Sequence, residues 1–289
     1  MSTDASLVST DWLAAHLDAP DLRILDGTYF LPNEGRDARK EYEAEHIPGA
    51  LFFDIDDIKD RASPLPHMLP EPEVFASRMR RMGIGDGHRI VVYDGKGIFS
   101  SPRVWWTFRV FGHRDVAVLD GGLPKWKAEG RPLDDRLPRP EERHFTARLD
   151  KTLVRDRQQL LTNLEARREQ VVDARSAGRF TGEQPEPRAG LRGGHIPGSL
   201  NLPFDQLIDP QTRTFLRPDR LAAAFRQQGV DLNRPIVTTC GSGVTASVLA
   251  FALDRIGHPG AAVYDGSWSE WGLPGDTPVV TGPAEGEPR

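Results

Sequence analysis

Cysteine is nearly absent from this chain, because its 289 residues include only Cys240. A single cysteine excludes a disulfide within the chain and a zinc site built from several thiolates. Long apolar runs are also missing, and none approaches the roughly 20 residues that a membrane-spanning helix needs. The first residues have neither the basic region nor the apolar stretch of a signal peptide. We therefore expect a cytoplasmic protein without a membrane partner.

A strong excess of one charge is lacking too, since the formal net charge is −5. This balance argues against a nucleic-acid partner bound through bulk positive charge, although a local basic pocket for a small anion is compatible with it. Hydrophobic residues make up 38% of the chain, enough for one or two ordinary cores. The 28 glycines and 24 prolines predict many short elements joined by turns and exclude a coiled coil.

The clearest positive pattern is a long internal repeat. Three stretches recur in the same order, at offsets of 145 to 149 residues. They are the His-Ile-Pro-Gly tetrapeptides that begin at His46 and His195, the segments 90–97 and 236–243, and the Asp-Gly pairs that begin at Asp120 and Asp265. An offset of this size matches a domain, not a solenoid repeat, and therefore predicts a tandem duplication.

Within each half, short apolar β-rich runs alternate with helical patterns, which predicts an α/β fold with a mainly parallel sheet flanked by helices. The predicted strands are 22–25, 90–93, 116–119, 171–172, 236–239 and 261–264, and the predicted helices are 72–82, 102–110, 221–228 and 244–255. We predict a first domain at 1–135, a linker at 136–150, a second domain at 151–280 and a tail at 281–289. His46, His195 and the tryptophans are interpreted as structural residues of turns and core.

Cys240 stands where a predicted strand ends and Gly241-Ser242-Gly243 leads into a helix. Successive N–H groups at such a position attract an anion and favour the nucleophilic thiolate. The alternative is a buried structural cysteine. A second alternative is dinucleotide binding, because Gly241-x-Gly243-x-x-Ala246 is followed by a strand that ends near Asp265. A Cys-dependent phosphatase is disfavoured, since residues 241–247 are uncharged and offer no arginine for a phosphoryl group.

The chain resembles the two-domain sulfurtransferases of the rhodanese superfamily, and most of all the 3-mercaptopyruvate sulfurtransferases. The stretch Cys-Gly-Ser-Gly-Val-Thr at 240–245 is similar to their active loop, whereas thiosulfate-using members carry basic residues after the cysteine. Further matching stretches are 52–56, 67–70, 102–106, 185–188 and 264–268. Asp94 occupies the position of the cysteine in the first half, so the resemblance implies that only the second domain is catalytic.

The resemblance also implies a reaction and a site. Cys240 would take sulfur from 3-mercaptopyruvate as a persulfide and pass it to a thiol or cyanide, with no metal and no cofactor. The implied residues are Arg179 and Arg188 for the substrate carboxylate and carbonyl, the amides of Gly241, Ser242, Gly243, Val244 and Thr245 for the sulfur anion, and Ser242, His67 and Asp56 for proton delivery. A thioredoxin-like dithiol is the implied acceptor. A thiosulfate sulfurtransferase and a persulfide carrier remain the alternative functions.

Overall fold

The computed structural model describes residues 6–258 and 260–284, which form two compact units. The first unit comprises 6–62, Leu69–Asp150 and Asp209–Phe215, and the second comprises Ser63–Met68, Lys151–Ile208, 216–258 and 260–284. Residues 136–150, predicted as a linker, thus belong to the first unit. Of the predicted tail, residues 285–289 lie outside the described residues.

The first unit contains a parallel sheet of five strands in the part of the chain described. Its strands are β1 (Leu7–Val8), β2 (Leu22–Asp26), β3 (Leu51–Phe52), β4 (Arg89–Tyr93) and β5 (Val116–Leu119), and its helices are α1 (Thr10–His16), α2 (Ala38–Ala44), α3 (Pro72–Arg81), α4 (Ser101–Val110) and α5 (Gly122–Ala128), with a 3₁₀ turn at Pro32–Glu34. The strand order is β1-β5-β4-β2-β3.

The second unit repeats this architecture element by element. Its strands are β6 (Val154–Arg155), β7 (Gln170–Asp173), β8 (Leu200–Asn201), β9 (Ile236–Thr239) and β10 (Ala262–Tyr264), and its helices are α6 (Arg157–Ala166), α7 (Ala177–Thr181), α8 (Pro218–Gln227), α9 (Ala246–Arg255) and α10 (Ser267–Trp271), with 3₁₀ turns at Lys151–Leu153 and Phe204–Leu207. The order β6-β10-β9-β7-β8 is that of the first sheet. The predicted α/β fold of two duplicated domains is confirmed. None of the described helices has the length and apolar character needed to cross a bilayer.

The central strand and the helix behind it position the loop of interest. All four residues of β9 are buried between β7 and β10, and the first eight residues of α9 are buried as well. A helix that is buried on all sides is a core helix, so its N-terminus is fixed by packing. The segment 240–245 therefore lies at the carboxyl end of a central parallel strand, where open α/β sheets bind ligands.

The repeated His-Ile-Pro-Gly motifs have a structural role, as the sequence predicted. The His46 ring stacks on Tyr42 with 4.4 Å between ring centroids, and its Nδ1 lies 2.7 Å from the Tyr42 carbonyl oxygen. The His195 ring stacks on Phe180 at 3.7 Å, and its Nδ1 lies 2.9 Å from the Phe180 carbonyl oxygen. Both rings thus fasten a turn to the element before it.

Two short segments cluster with the unit that the other repeat builds. Segment 63–68 comes from the first repeat but belongs to the second unit, and Asp209–Phe215 has the converse relation. His67 and Arg213 lie 146 residues apart in these segments, and their φ angles are +60° and +61°. Arg213 packs against the loop after β4, because a Cβ on Gly97 would lie 2.9 Å from its Cβ. His67 belongs to the second unit, where its Nε2 lies 3.4 Å from Nη2 of Arg188.

The first unit contains a buried carboxyl group whose titration affects stability. Asp26 accepts hydrogen bonds from the Thr28 amide and hydroxyl, but burial outweighs them and, with the nearby Asp94, raises its pKa to about 6. A raised pKa makes the folded state bind the proton more tightly than the unfolded state does. The stabilisation is therefore complete below about pH 4 and is lost as the pH rises through about 6.

Asp26→Asn is accordingly expected to unfold at a higher temperature than the unchanged protein above pH 6, and the difference should vanish near pH 4. The raised pKa of Asp26 corresponds to a difference of about 3 kcal/mol in the free energy of unfolding. Thermal unfolding between pH 4 and 8 measures it. Asp173→Asn is the matched control: Asp173 is the counterpart in the second unit, but it pairs with the buried Arg175 at 2.6 Å, so its replacement should destabilise the fold. A pH-independent difference for Asp26→Asn would contradict the assignment.

Candidate active site around Cys240

Cys240 lies directly after β9 and is 2% exposed. The chain turns away from the strand at once, and Gly243 has a φ of +79°, which a residue with a side chain adopts only under strain. Helix α9 begins at Ala246, two residues later than the sequence predicted. Val244 and Thr245 thus extend the loop, which lengthens the row of backbone N–H groups beside Cys240.

The carbonyl side of this loop is held by α10. The Trp268 amide donates to the Cys240 carbonyl at 2.9 Å, and the Ser269 amide donates to the Gly241 carbonyl at 2.8 Å. The Cys240 amide donates to the Ser267 hydroxyl at 3.3 Å. Because the carbonyl groups of Cys240 and Gly241 are satisfied in this direction, the loop has a fixed orientation.

The amide side of the loop has no such partners. The N–H groups of Gly241 through Thr245 donate to no acceptor within residues 6–258 and 260–284. Five successive donors next to a helix N-terminus form a concave site for an anion. The loop can therefore stabilise negative charge on the Cys240 sulfur or on a group bonded to it.

In the first unit the equivalent loop, which follows β4, carries Asp94 at the position of Cys240. Asp94 follows β4 as Cys240 follows β9, and its carboxylate is fully buried. One oxygen accepts from the amides of Phe99, Ser100 and Ser101 at 2.8 to 3.0 Å, and the other accepts from the Lys96 amide at 2.9 Å. The loop after β4 therefore holds a carboxyl group through four backbone amides.

Arg179 and Arg188 both reach the Cys240 loop. A Cβ atom built on Gly241 would lie 2.9 Å from Nη2 of Arg179 and 3.9 Å from Nη1 of Arg188. Arg179 comes from α7, which follows β7, and Arg188 comes from the segment after it. Two guanidinium groups beside the amide donors suit a small carboxylate, which arginine binds through two parallel hydrogen bonds.

The structure brings all but one of the predicted site residues into the second unit. Ser242 is buried in the loop, and Nε2 of the buried His67 lies 3.4 Å from Nη2 of Arg188. Asp56 belongs to the first unit. Its half-exposed carboxylate lies 3.6 Å from the Lys59 ammonium.

Sequence reasoning missed the buried charged side chains that hold Arg179. Glu186 binds Arg175 at 2.7 Å and Arg179 at 2.5 Å. Arg175 is fully buried, pairs with Asp173 and places its guanidinium 4.2 Å from the Trp268 ring centre. Although burial opposes it, the two carboxylates raise the pKa of Arg175, which stays charged. The available signal was a pair of charged residues at the end of a buried strand, Asp173 as its last residue and Arg175 two positions later.

The dinucleotide-binding alternative receives no support from this geometry. In the described residues the sheet order is β6-β10-β9-β7-β8, whereas a dinucleotide-binding sheet has the order 3-2-1-4-5-6. No group of three or more His, Cys, Asp or Glu side chains in 6–258 and 260–284 is arranged to hold a metal ion. The Cys240 loop, with Arg179 and Arg188 beside Gly241, is the candidate site.

Comparison with known proteins agrees with the duplicated fold. The family profile described as Rhodanese-like domain matches residues 9–129 and again 156–273. Human 3-mercaptopyruvate sulfurtransferase is 46% identical, over 92% of this chain and 91% of that protein. Bovine thiosulfate sulfurtransferase is 47% identical, with the same coverage of both chains.

A solved structure adds a match in three dimensions. The crystal structure of SseA from Escherichia coli, a 3-mercaptopyruvate sulfurtransferase, superposes with a TM-score of 0.83 and is 41% identical. The match covers 91% of this chain and 99% of that one. The similarity therefore includes both units.

Proposed function

Since the chain belongs to the rhodanese family, we propose that it is a sulfurtransferase that moves sulfur from 3-mercaptopyruvate to a thiol or cyanide through a persulfide on Cys240. One observation carries the proposal: the only cysteine of the chain follows β9 in the loop whose counterpart holds the Asp94 carboxylate through backbone amides. A nucleophilic sulfur in an anion-binding loop is the requirement for this chemistry.

The reaction proceeds in two displacements. In the first, the Cys240 thiolate attacks the sulfur of 3-mercaptopyruvate, a sulfur–sulfur bond forms, and the carbon–sulfur bond breaks. The electron pair of the broken bond stays on the three-carbon fragment as an enolate, which takes up a proton at its methylene carbon to give pyruvate. In the second, an acceptor thiolate or cyanide attacks the outer sulfur and restores the Cys240 thiolate.

Each group near Cys240 has a task in these steps. Arg179 and Arg188 hold the carboxylate and carbonyl of the donor, which aligns its sulfur with Cys240. The amides of Gly241, Ser242, Gly243, Val244 and Thr245 stabilise the thiolate and then the persulfide. These roles rest on the proximity of both guanidinium groups to Gly241.

The choice of donor rests on the loop itself, because relatives named for either donor are about equally similar to this chain. Residues 241–247 are uncharged. Thiosulfate is a dianion and gains more from basic residues beside the sulfur than a monocarboxylate does. The alternative donor, thiosulfate, is therefore expected to be the poorer one.

Steady-state kinetics with each donor and cyanide as acceptor tests this choice. We expect kcat/KM to be larger for 3-mercaptopyruvate than for thiosulfate. A higher kcat/KM for thiosulfate would reverse the assignment of the donor. Incorporation of sulfur without turnover of either donor would instead favour the persulfide carrier.

For the proton that converts the enolate to pyruvate, we propose a relay of Ser242, His67 and Asp56. A histidine oriented by a carboxylate suits proton delivery. His67 and Ser242 share the second unit. Asp56 belongs to the first unit, and its part in the proposed relay comes from the family resemblance.

Ser242→Ala is expected to lower kcat with 3-mercaptopyruvate by about 100-fold or more, because proton transfer by a positioned group contributes about 10²- to 10⁴-fold. Thiosulfate is the internal control: its leaving group, sulfite, needs no proton on carbon, so its turnover should be preserved. Unchanged turnover with both donors would remove the relay and leave the role of Cys240 intact.

We extend the proposal to the sulfur acceptor and to the location of the protein. A thiol acceptor follows from the persulfide chemistry, and a thioredoxin-like dithiol is the form we propose. A cytoplasmic location stays a prediction from the sequence.

A further inference from the structure

A buried carboxylate, that of Glu186, contacts Arg179 of the site. The Glu186 side chain is 2% exposed. Its Oε1 accepts from Nη1 of Arg175 at 2.7 Å and from Nε of Arg179 at 3.3 Å, and its Oε2 accepts from Nη2 of Arg179 at 2.5 Å. Both oxygens of the carboxylate therefore accept hydrogen bonds from guanidinium groups.

Arg175 anchors this carboxylate to the core. Its guanidinium donates to both oxygens of Asp173 and to the carbonyl of Gly194, and Trp268 packs against it. Trp268 in turn donates its amide to the Cys240 carbonyl. Glu186 thus connects the buried Asp173–Arg175 pair to the guanidinium of Arg179.

The contact with Glu186 fixes the atom of Arg179 that faces the loop. Nη2 of Arg179, which binds Oε2 of Glu186, is the same atom that a Cβ on Gly241 would approach to 2.9 Å. A long arginine side chain loses considerable conformational entropy when it binds a ligand. A partner that holds the guanidinium in advance reduces this loss.

Glu186 also determines the charge that the donor meets. Asp173, Arg175, Arg179, Glu186 and Arg188 together contribute three positive and two negative charges, a sum of +1. Without the Glu186 charge the sum of these groups is +2. Charges in a partly desolvated site interact more strongly than charges in water.

We propose that Glu186 is a positioning and specificity-determining residue of the donor site: it holds Arg179 against the Cys240 loop and limits the positive charge there, so that a monoanionic donor is preferred to a dianionic one. This inference rests on the proposed sulfur transfer from 3-mercaptopyruvate. The two donors differ in the required way, since 3-mercaptopyruvate carries one carboxylate and thiosulfate carries two negative charges.

Glu186→Gln tests the proposal because it removes the charge and keeps the size. The amide oxygen can accept from one arginine, but the amide nitrogen then faces the other as a second donor. We expect KM for 3-mercaptopyruvate to rise more than kcat falls, and the ratio of kcat/KM for 3-mercaptopyruvate to that for thiosulfate to fall at least tenfold. Equal losses with both donors would overturn the proposal.

Glu183→Gln is the matched control, since Glu183 lies on the same segment, is exposed and undergoes the same change of charge. Its donor ratio should equal that of the unchanged protein at the same ionic strength. A fall of the ratio in this control as large as in Glu186→Gln would show that any loss of negative charge suffices and would overturn a specific role of Glu186.

Glu186→Asp separates the positioning role of Glu186 from the effect of its charge. It also tests the proposal independently if Glu186→Gln does not fold. It keeps the negative charge but withdraws the carboxylate by one methylene. We expect a higher KM for 3-mercaptopyruvate with the donor ratio preserved. An unchanged KM would overturn the positioning role, and a lost preference would overturn the charge role.

The donor preference of the unchanged protein distinguishes a failure of the proposed function from a failure of the role of Glu186. If it does not prefer 3-mercaptopyruvate, the proposed function fails in its choice of donor. If it does prefer 3-mercaptopyruvate and Glu186→Gln keeps the same ratio, only the role of Glu186 fails.

Discussion

Cys240→Ser is expected to reduce sulfur transfer by on the order of 10³-fold or more with either donor, because a hydroxyl group cannot form the persulfide intermediate. Serine has nearly the size of cysteine, and the loop is held by backbone groups of Cys240 and Gly241 together with α10. The thermal unfolding temperature should therefore change little. Steady-state rates with cyanide as acceptor measure the loss.

The interpretation of this substitution is simplified by the absence of any other thiol in the chain. Cys240 is the only thiol, so no second cysteine can substitute for it within one molecule. Activity of Cys240→Ser within tenfold of the unchanged protein would exclude a covalent intermediate at this residue. If Cys240→Ser does not fold, its loss of activity is uninformative, and the mass measurement described below tests the persulfide on the unchanged protein.

Gly241→Ala is expected to lower kcat/KM for 3-mercaptopyruvate by about 10- to 100-fold, the cost of misplacing an aligning group by about an ångström. The new Cβ would lie 2.9 Å from Nη2 of Arg179. Glu186 holds that nitrogen from the other side, so the guanidinium cannot move aside without losing its partner. The backbone at Gly241 does not have the positive φ that would itself penalise alanine.

A double-mutant cycle identifies Arg179 as the group through which Gly241→Ala acts. In an Arg179→Ala background the added methyl group has no guanidinium to displace, so we expect Gly241→Ala to cost little more there. Additive losses would place the damage elsewhere in the loop. Gly87→Ala serves as the control for an added methyl group, because nothing lies within 4 Å of its Cβ position.

The main strands and helices could be predicted because their residues carry a clear pattern. The strand 90–93 and the helix 102–110 appear as β4 and α4 with shifts of one residue, since a run of buried apolar residues leaves little choice of structure. Two-residue strands such as β1 and β3 could not be predicted. They form by pairing with β5 and β2, and too few residues are involved to show a period.

The repeat predicted more of the site than any single motif. The offset of 146 residues that aligns Asp94 with Cys240 places both after central strands. The contacts of Asp94 show that its own loop holds a carboxyl group through backbone amides. Arg179 and Arg188 were implied by family resemblance alone, and the structure supplies the proximity to Gly241 that gives them a physical reason.

The remaining features depend on tertiary contacts that leave no periodic trace. Glu186 was part of a matching motif, but its pairing with Arg175 and Arg179 follows only from the packing of α7 and the segment after it. The membership of segment 63–68 in the second unit is equally invisible, because its sequence neighbours belong to the first unit. Both the pairing of Glu186 with the two arginines and the placement of segment 63–68 depend on the three-dimensional fold.

The most direct measurement is the intact mass of the protein after incubation with 3-mercaptopyruvate in the absence of an acceptor, with pyruvate quantified in the same sample. We expect each chain to gain one sulfur atom on Cys240, one pyruvate to appear for each sulfur gained, and the added sulfur to leave as thiocyanate when cyanide is supplied. Release of pyruvate without a gain of mass, or an equal gain in Cys240→Ser, would contradict the persulfide at this residue.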